Sequence, residues 1–580
     1  MKRLTQITLV GVLLLAMMSI ATAQRVPEPV VRMGNFFEVG NDVFMHIIAT
    51  TEMRYITVEN RDFEKHVRDR PNSRFPGDTA AQVTDADAAW FLNRLGAEFR
   101  YQKNLEMYLL FEHRDFVDGN LIDDRSNSTN PGGTDVFGRA AGTENPGFHT
   151  ERYWIRYKFP GTPLKLHVGA DLWHLDQAGL YGDDDPRIAV FGDFGDFDVM
   201  AQIVPQYESQ RIGLENDNDL IVYALSAGYN LKPHRFQVDV VYFRDRFVGA
   251  DLAFPRASPA NGLGFQGQKT DSVLIMGSAS GRLGPVRALV QGLINVGHAR
   301  GGVTGLASAT APTAPLGFPG GRGYDIFSGA VVAYAEADLG LARPFVAFVY
   351  GSGDGDQTDN KLHGFSPAAN QDVTQITGTN WFAHLDTSAN FAGRDYACPA
   401  RFQGMRQAPT AATGPLAVGA QISTGGAAGF ECSHTVANPF NQRLGILSTP
   451  GIYSTYSNPG TLVIAPGLKV FPLKGHELVG FFVYRGMVNT NLLQRAFVKG
   501  IDPGFSGHIG KDQIYELGGF WQWTLNPYFD IRLLGQAAWL GDGYKDLAQM
   551  ADCNQQLAGF QACGGKNVAL RADIRFRARF

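Results

Sequence analysis

The C-terminal segment constrains this chain more than any other. From Leu570 to Phe580, the positions Leu570, Ala572, Ile574, Phe576, Ala578 and Phe580 are apolar, and every residue between them is Arg or Asp. A period of two marks a strand with one apolar face and one polar face. The same alternation recurs upstream. Met45, Ile47, Ala49, Met53 and Tyr55 keep it, as do Leu95, Ala97, Phe99 and Tyr101. So do Tyr153, Ile155, Tyr157 and Phe159, then Leu164, Leu166, Val168 and Ala170, then Tyr515, Leu517, Trp521 and Trp523. In hydrocarbon every backbone polar group needs a partner within the protein. A chain of such strands crosses a bilayer only as a closed barrel.

The N-terminus agrees with that reading. Lys2 and Arg3 precede the nearly unbroken apolar stretch from Ile7 to Met18, and Ala21-Thr22-Ala23 offers small residues for cleavage. Residues 1–23 are therefore expected to be a cleaved signal peptide, and 24–580 a single β-barrel in a bacterial outer membrane. No later stretch has the length and apolarity of a spanning helix. Composition fits a large β object: Gly is 68, Phe 40 and Tyr 20 of 580 residues, with only 18% charged. The net charge of −5 says little about partners.

Turn signals set the strand number. Short ones stand at 103–104, 160–163, 193–196, 231–234, 283–285, 339–342, 472–476 and 525–528. Long connections fall near 59–89, 116–147, 175–187, 206–217, 247–269, 300–324, 352–460, 489–510 and 541–567. Alternating them gives an all-β antiparallel barrel of about 18 strands, with short periplasmic turns and long extracellular loops. The pair around 187–206 is short and interrupted by Pro205, and dropping it gives 16. The 352–460 connection is too long for a simple link, and either narrows the lumen or caps it outside.

Strand parity selects a lumen face. Arg94, Arg100, Arg152, Arg156, Lys158, Lys165, His167, Arg532, Arg571, Arg575, Arg577 and Arg579 share the inward position. Acidic residues of the same parity include Glu52, Glu98, Asp171, Asp239, Glu516, Asp530 and Asp573. Clustered arginines would favour anions in the channel. The plainer alternative is a ladder of ion pairs that only satisfies the wall. The last strand adjoins the first in a closed barrel, so Arg571 and Arg575 are expected to face Glu52.

Two loop features add to this. Asp354, Asp356 and Asp359 lie in a Gly-containing run of the type that suits Ca²⁺, although a solvated polar turn is the commoner explanation of such a run. Cys398 and Cys432, and Cys553 and Cys563, form two sequence-local pairs expected to close loops as disulfides in an oxidising compartment. No G-x-S-x-G, H-E-x-x-H, Walker or C-x-x-C motif is present, which argues against an enzyme. The basic residues are spread along strands, so nothing points to nucleic acid.

The chain resembles the alginate-export family of outer-membrane porins. The resemblance rests on Tyr350 to Asp356, on Ile509 to Leu517 followed by Trp539 to Asp546, and on the hairpins within 186–230. It implies an 18-stranded monomeric barrel whose arginine-rich lumen passes an anionic polysaccharide. The 352–460 connection departs from the pattern in length and in carrying two cysteines.

Two functions remain open. One is a channel for small or polymeric, anion-favoured solutes. The other is a structural barrel that presents its loops to a surface layer or partner protein. Membrane lipid and lipopolysaccharide are expected neighbours in both, a monomer is slightly favoured, and no cofactor beyond loop-bound calcium is expected.

Overall fold

The computed structural model describes residues 37–40, 42–59, 86–118, 147–171, 173–178, 182–183, 186–207, 220–245, 269–300, 324–353, 355, 361–363, 460–491, 508, 510–543 and 568–579. Eighteen of its strands make the wall, numbered here in chain order. The first six are β1 Val43–Glu59, β2 Ala86–Tyr101, β3 Leu105–Asp118, β4 Gly147–Lys158, β5 Leu164–Ala170 and β6 Pro186–Asp193. Then come β7 Phe197–Tyr207, β8 Leu220–Leu231, β9 His234–Asp245, β10 Lys269–Leu283, β11 Val286–Arg300 and β12 Tyr324–Ala337. The last are β13 Ala342–Gly351, β14 Thr461–Val470, β15 His476–Met487, β16 Asp512–Asn526, β17 Phe529–Leu540 and β18 Val568–Arg579.

Each wall strand pairs antiparallel with the next, and β18 pairs with β1, Arg579 opposite Thr50 and Leu570 opposite Glu59. The wall is therefore a closed barrel without an edge. The strand count of 18 stands, including the β6–β7 hairpin, whose register runs from Asp198 opposite Asp193 to Ile203 opposite Ile188. Pro205 does not end β7. It sits where the register with β8 shifts, between Pro205 and Tyr207, which is where a residue without an N–H is tolerated.

Eight hairpin connections of two to five residues share one end of the barrel with the first and last wall residues. By the rule for bacterial barrels this is the periplasmic end. Outside, Ile47, Leu95, Ile188, Leu225, Val238, Ile294 and Leu517 are each about half exposed, as lipid-facing residues must be. Inside, their sequence neighbours are buried or partly buried. At the periplasmic end the outer face carries Trp521 and Trp523 around His476, with ring centroids 5.3–6.1 Å apart, an interfacial aromatic group.

One glycine is demanded by the wall. Gly169 in β5 has φ of +131°, and a Cβ there would strike the Tyr153 carbonyl oxygen and lie 2.6 Å from the Trp154 Cα. Gly169→Ala must both strain the backbone and push β4 away from β5. The folded barrel's unfolding temperature, read from its compact gel migration, is expected to drop by several degrees, while Gly277→Ala, where the Cβ meets open space, leaves it unchanged.

Candidate functional site: the lumen

The inner face divides into two unlike halves. Strands β16–β18 and β1–β6 carry the charged half. Strands β7–β15 carry an apolar belt, in which Val204, Val222, Val241, Met276, Leu289, Val332, Ala347 and Ala465 are wholly buried. They form one continuous cluster, interrupted by amides, hydroxyls and the buried charges Arg235, Asp239, Glu336, Lys469 and Arg485.

The charged half brings the inward residues of the sequence together. Arg94 donates to Glu112 at 2.7 Å. Arg100 donates to Glu98 at 2.8 Å, and Arg156 lies 3.5 Å from Glu106. The Arg156 guanidinium also covers the Trp154 ring at 4.5 Å, which in turn stacks on Tyr108. Arg532 sits 4.1 Å above the ring of Phe520. Glu516 is fully buried on β16 and Arg152 half-buried on β4. Lys158 and Lys165 oppose each other across β4 and β5, and neither has an ion-pair partner among the described residues. Arg571 holds register positions opposite Val58 and Gln536; its side chain lies outside the described ones.

The expected pairing of Arg571 and Arg575 with Glu52 is corrected by the register. Glu52 stands opposite Arg577, and Arg575 stands opposite Arg54. The real acceptor lies on the other neighbour, β17. Asp530 is 1% exposed and takes Arg575 at 3.4 Å, Arg577 at 2.9 Å and Arg579 at 2.7 Å. Parity named these residues, but choosing between the two flanking strands required the register. Three guanidiniums share this carboxylate at a half-buried spot, where charge is screened less than on a surface.

Near the β5–β6 connection, Arg187 bridges Asp171 at 2.9 Å and Gln202 at 2.7 Å, with His167 Nε2 3.3 Å from Asp171. Sequence reading missed Arg187, because its segment was the least regular of the barrel. Toward the periplasmic mouth, a cavity of about 770 Å³ opens between Arg156, Lys165, Phe191, Asp198, Lys232 and Arg235.

The connection between β5 and β6 was expected to be an external loop. Its described part folds inward instead. Leu175 and Ala178 are buried in the apolar cluster of the far wall, and polar contacts to β9, β10 and β11 hold the segment there. Gln237 on β9 donates to the Leu175 carbonyl oxygen, and Ser280 on β10 donates to Gln177 Oε1. Gln291 on β11 donates to Asp176 Oδ2 at 2.6 Å and accepts from the Ala178 amide at 3.2 Å. The segment leaves the wall at β5, four to six strands from where it docks, so it narrows the lumen as it crosses. The reason is local: Gln237 and Gln291 are amides in an apolar belt, and the loop supplies each with polar partners there. Those two glutamines at inward positions were the available sequence signal.

The 352–460 connection, expected as cap or constriction, lies almost wholly outside the described residues. So do Asp354, Asp356 and Asp359, the four cysteines, and residues 1–23.

No family model and no curated protein matches this chain. Among solved structures, Pseudomonas aeruginosa OccK5 (OpdH) aligns over 92% of this chain and 98% of its own, with 9% identity and a TM-score of 0.40. Acinetobacter baumannii OccAB1 aligns over 96% and 100%, with 9% identity and a TM-score of 0.42. Pseudomonas putida OprB aligns over 92% and 94%, with 11% identity and a TM-score of 0.39.

Proposed function

We propose that the protein is an outer-membrane channel for small solutes, with a preference for anions. One observation carries the preference: Arg575, Arg577 and Arg579 converge on the buried carboxylate of Asp530, which gathers three guanidiniums on one stretch of the inner wall. Lys158 and Lys165 extend the same sign toward the periplasmic mouth. Passage is by diffusion along the charged half, past the segment Leu175–Ala178. A polymeric anion, as the resemblance to the alginate-export family implies, is the wider form of the same reading.

The apolar belt favours a second reading, in which the barrel serves chiefly to hold its loops. A belt buried this completely is not lined by water. Conductance in a planar bilayer under a salt gradient decides between them. An open channel whose reversal potential has the sign of anion selectivity is the expected result. A folded barrel that passes no current overturns the channel and leaves the loop-presenting barrel.

A further inference from the structure

Lys158 on β4 and Lys165 on β5 stand directly opposite each other on the inner face. Register partners have their Cβ atoms roughly 5 Å apart, and like charges placed there repel. Arg156 lies one pleat further along β4, on the same face. Its guanidinium rests on the Trp154 ring at 4.5 Å, and that ring is stacked on Tyr108 with an interplanar angle of 3°. Packing therefore fixes the plane of the guanidinium. Its acceptor among the described residues is Glu106 at 3.5 Å, which Arg100 shares at 3.7 Å. A contact this long, to a shared carboxylate, leaves most of its N–H groups open.

Arg156 and Lys165 line the cavity of about 770 Å³ at the periplasmic mouth. Phe191, opposite Lys165 in the register, adds an apolar patch to the wall beside them. The other side is formed by the β6–β7 and β8–β9 turns. There Asp198 is taken by Arg235 at 2.7 and 2.9 Å, and Asp193 accepts the Gly195 amide at 3.2 Å. Asp196 and Lys232 are exposed on the turns. The cavity thus has one cationic side, on β4 and β5, and one mixed side.

A planar carboxylate brings one charge and two oxygens, which a single arginine fork satisfies. A phosphate head brings about two charges near neutral pH and three terminal oxygens. It can meet two ammoniums and a guanidinium at once, and its charge offsets the repulsion between the lysines. The cavity has room for such a head together with a small polar body. We propose that Arg156, Lys158 and Lys165 form a phosphate-binding site at the periplasmic mouth, which takes a small solute with a single phosphate head. This site narrows the channel reading, on which it rests, from anions in general to free phosphate and phosphate monoesters.

Isothermal titration calorimetry on the full-length barrel in detergent tests it, at fixed ionic strength, with hydrogen phosphate, glycerol 3-phosphate and acetate as probes. Both phosphates are expected to bind, and acetate about tenfold more weakly or not at all. Tighter binding of glycerol 3-phosphate than of hydrogen phosphate identifies an ester as the solute, and the reverse order identifies free phosphate. Lys158→Ala with Lys165→Ala is expected to weaken phosphate binding about tenfold. Lys232→Ala, across the cavity and exposed, is expected to change it by less than about twofold. Equal binding of phosphate and acetate would overturn the site, and that comparison needs no variant to fold. Equal losses from the lysine pair and from Lys232→Ala would reduce it to a diffuse cationic field and overturn it as well. Calorimetry needs no current. A barrel that binds phosphate but conducts nothing keeps the site and loses the channel; one that conducts anions without binding phosphate keeps the channel and loses the site.

Discussion

Replacing Gln237 and Gln291 together by leucine is expected to raise single-channel conductance several-fold while the barrel stays folded. The two amides supply three of the contacts that hold Leu175 to Ala178 against the far wall. Leucine keeps the wall apolar but leaves the Leu175 carbonyl, the Asp176 carboxylate and the Ala178 amide facing hydrocarbon. Each buried polar group stranded in this way costs about 1–3 kcal/mol. Burial of the Leu175 side chain works against release by roughly 1.5–3 kcal/mol. The balance favours release, and about 1.4 kcal/mol already changes a population tenfold. The strand ladder persists, since the hydrogen bonds of β9 and β11 are backbone ones and both positions keep their register, although losing the 2.8 Å bond from Gln237 to Asp239 lowers the barrel's stability. Conductance recordings, with gel mobility as the check on folding, measure this. An unchanged current through a folded double variant would mean that the segment does not limit flow.

The second large effect concerns charge. Arg575→Ser with Arg577→Ser is expected to lower the anion-to-cation permeability ratio severalfold, read from the reversal potential in a salt gradient. Arg579 stays in place and keeps its 2.7 Å bond to Asp530, so the buried carboxylate is not stranded. The opposite substitution, Asp530→Asn, leaves three guanidiniums without their shared anion. It should increase anion preference, and it should destabilise the barrel by an amount on the order of 3–5 kcal/mol, as for other broken buried pairs. A double variant with unaltered reversal potential would show that this cluster only braces β17 against β18.

The strand count was legible because the physics behind it is local. A strand that faces lipid on one side and the lumen on the other must alternate, and a hairpin at the periplasmic end must be short. Leu570 to Phe580 displays the first rule and residues 231–234 the second. Parity also put Arg94, Arg100, Arg156 and Arg575 on the inner face, since a one-residue slip would turn each toward lipid.

Parity could not say which inward residues meet. Asp530 gathers Arg575, Arg577 and Arg579 because β17 and β18 are in a register that sets Asp530 opposite Arg577. Nor does a linear pattern reveal that a connection turns inward. Leu175 to Ala178 contacts residues more than fifty positions away, and those contacts exist only once the wall has closed. What the sequence determined by itself was the closed barrel, its two faces and its strand number, because alternation and turn chemistry act between near neighbours. What the tertiary structure alone decided was the division of the lumen into charged and apolar halves, the partner of each arginine, and the segment that crosses between them. Those depend on the register between strands and on contacts across the closed barrel.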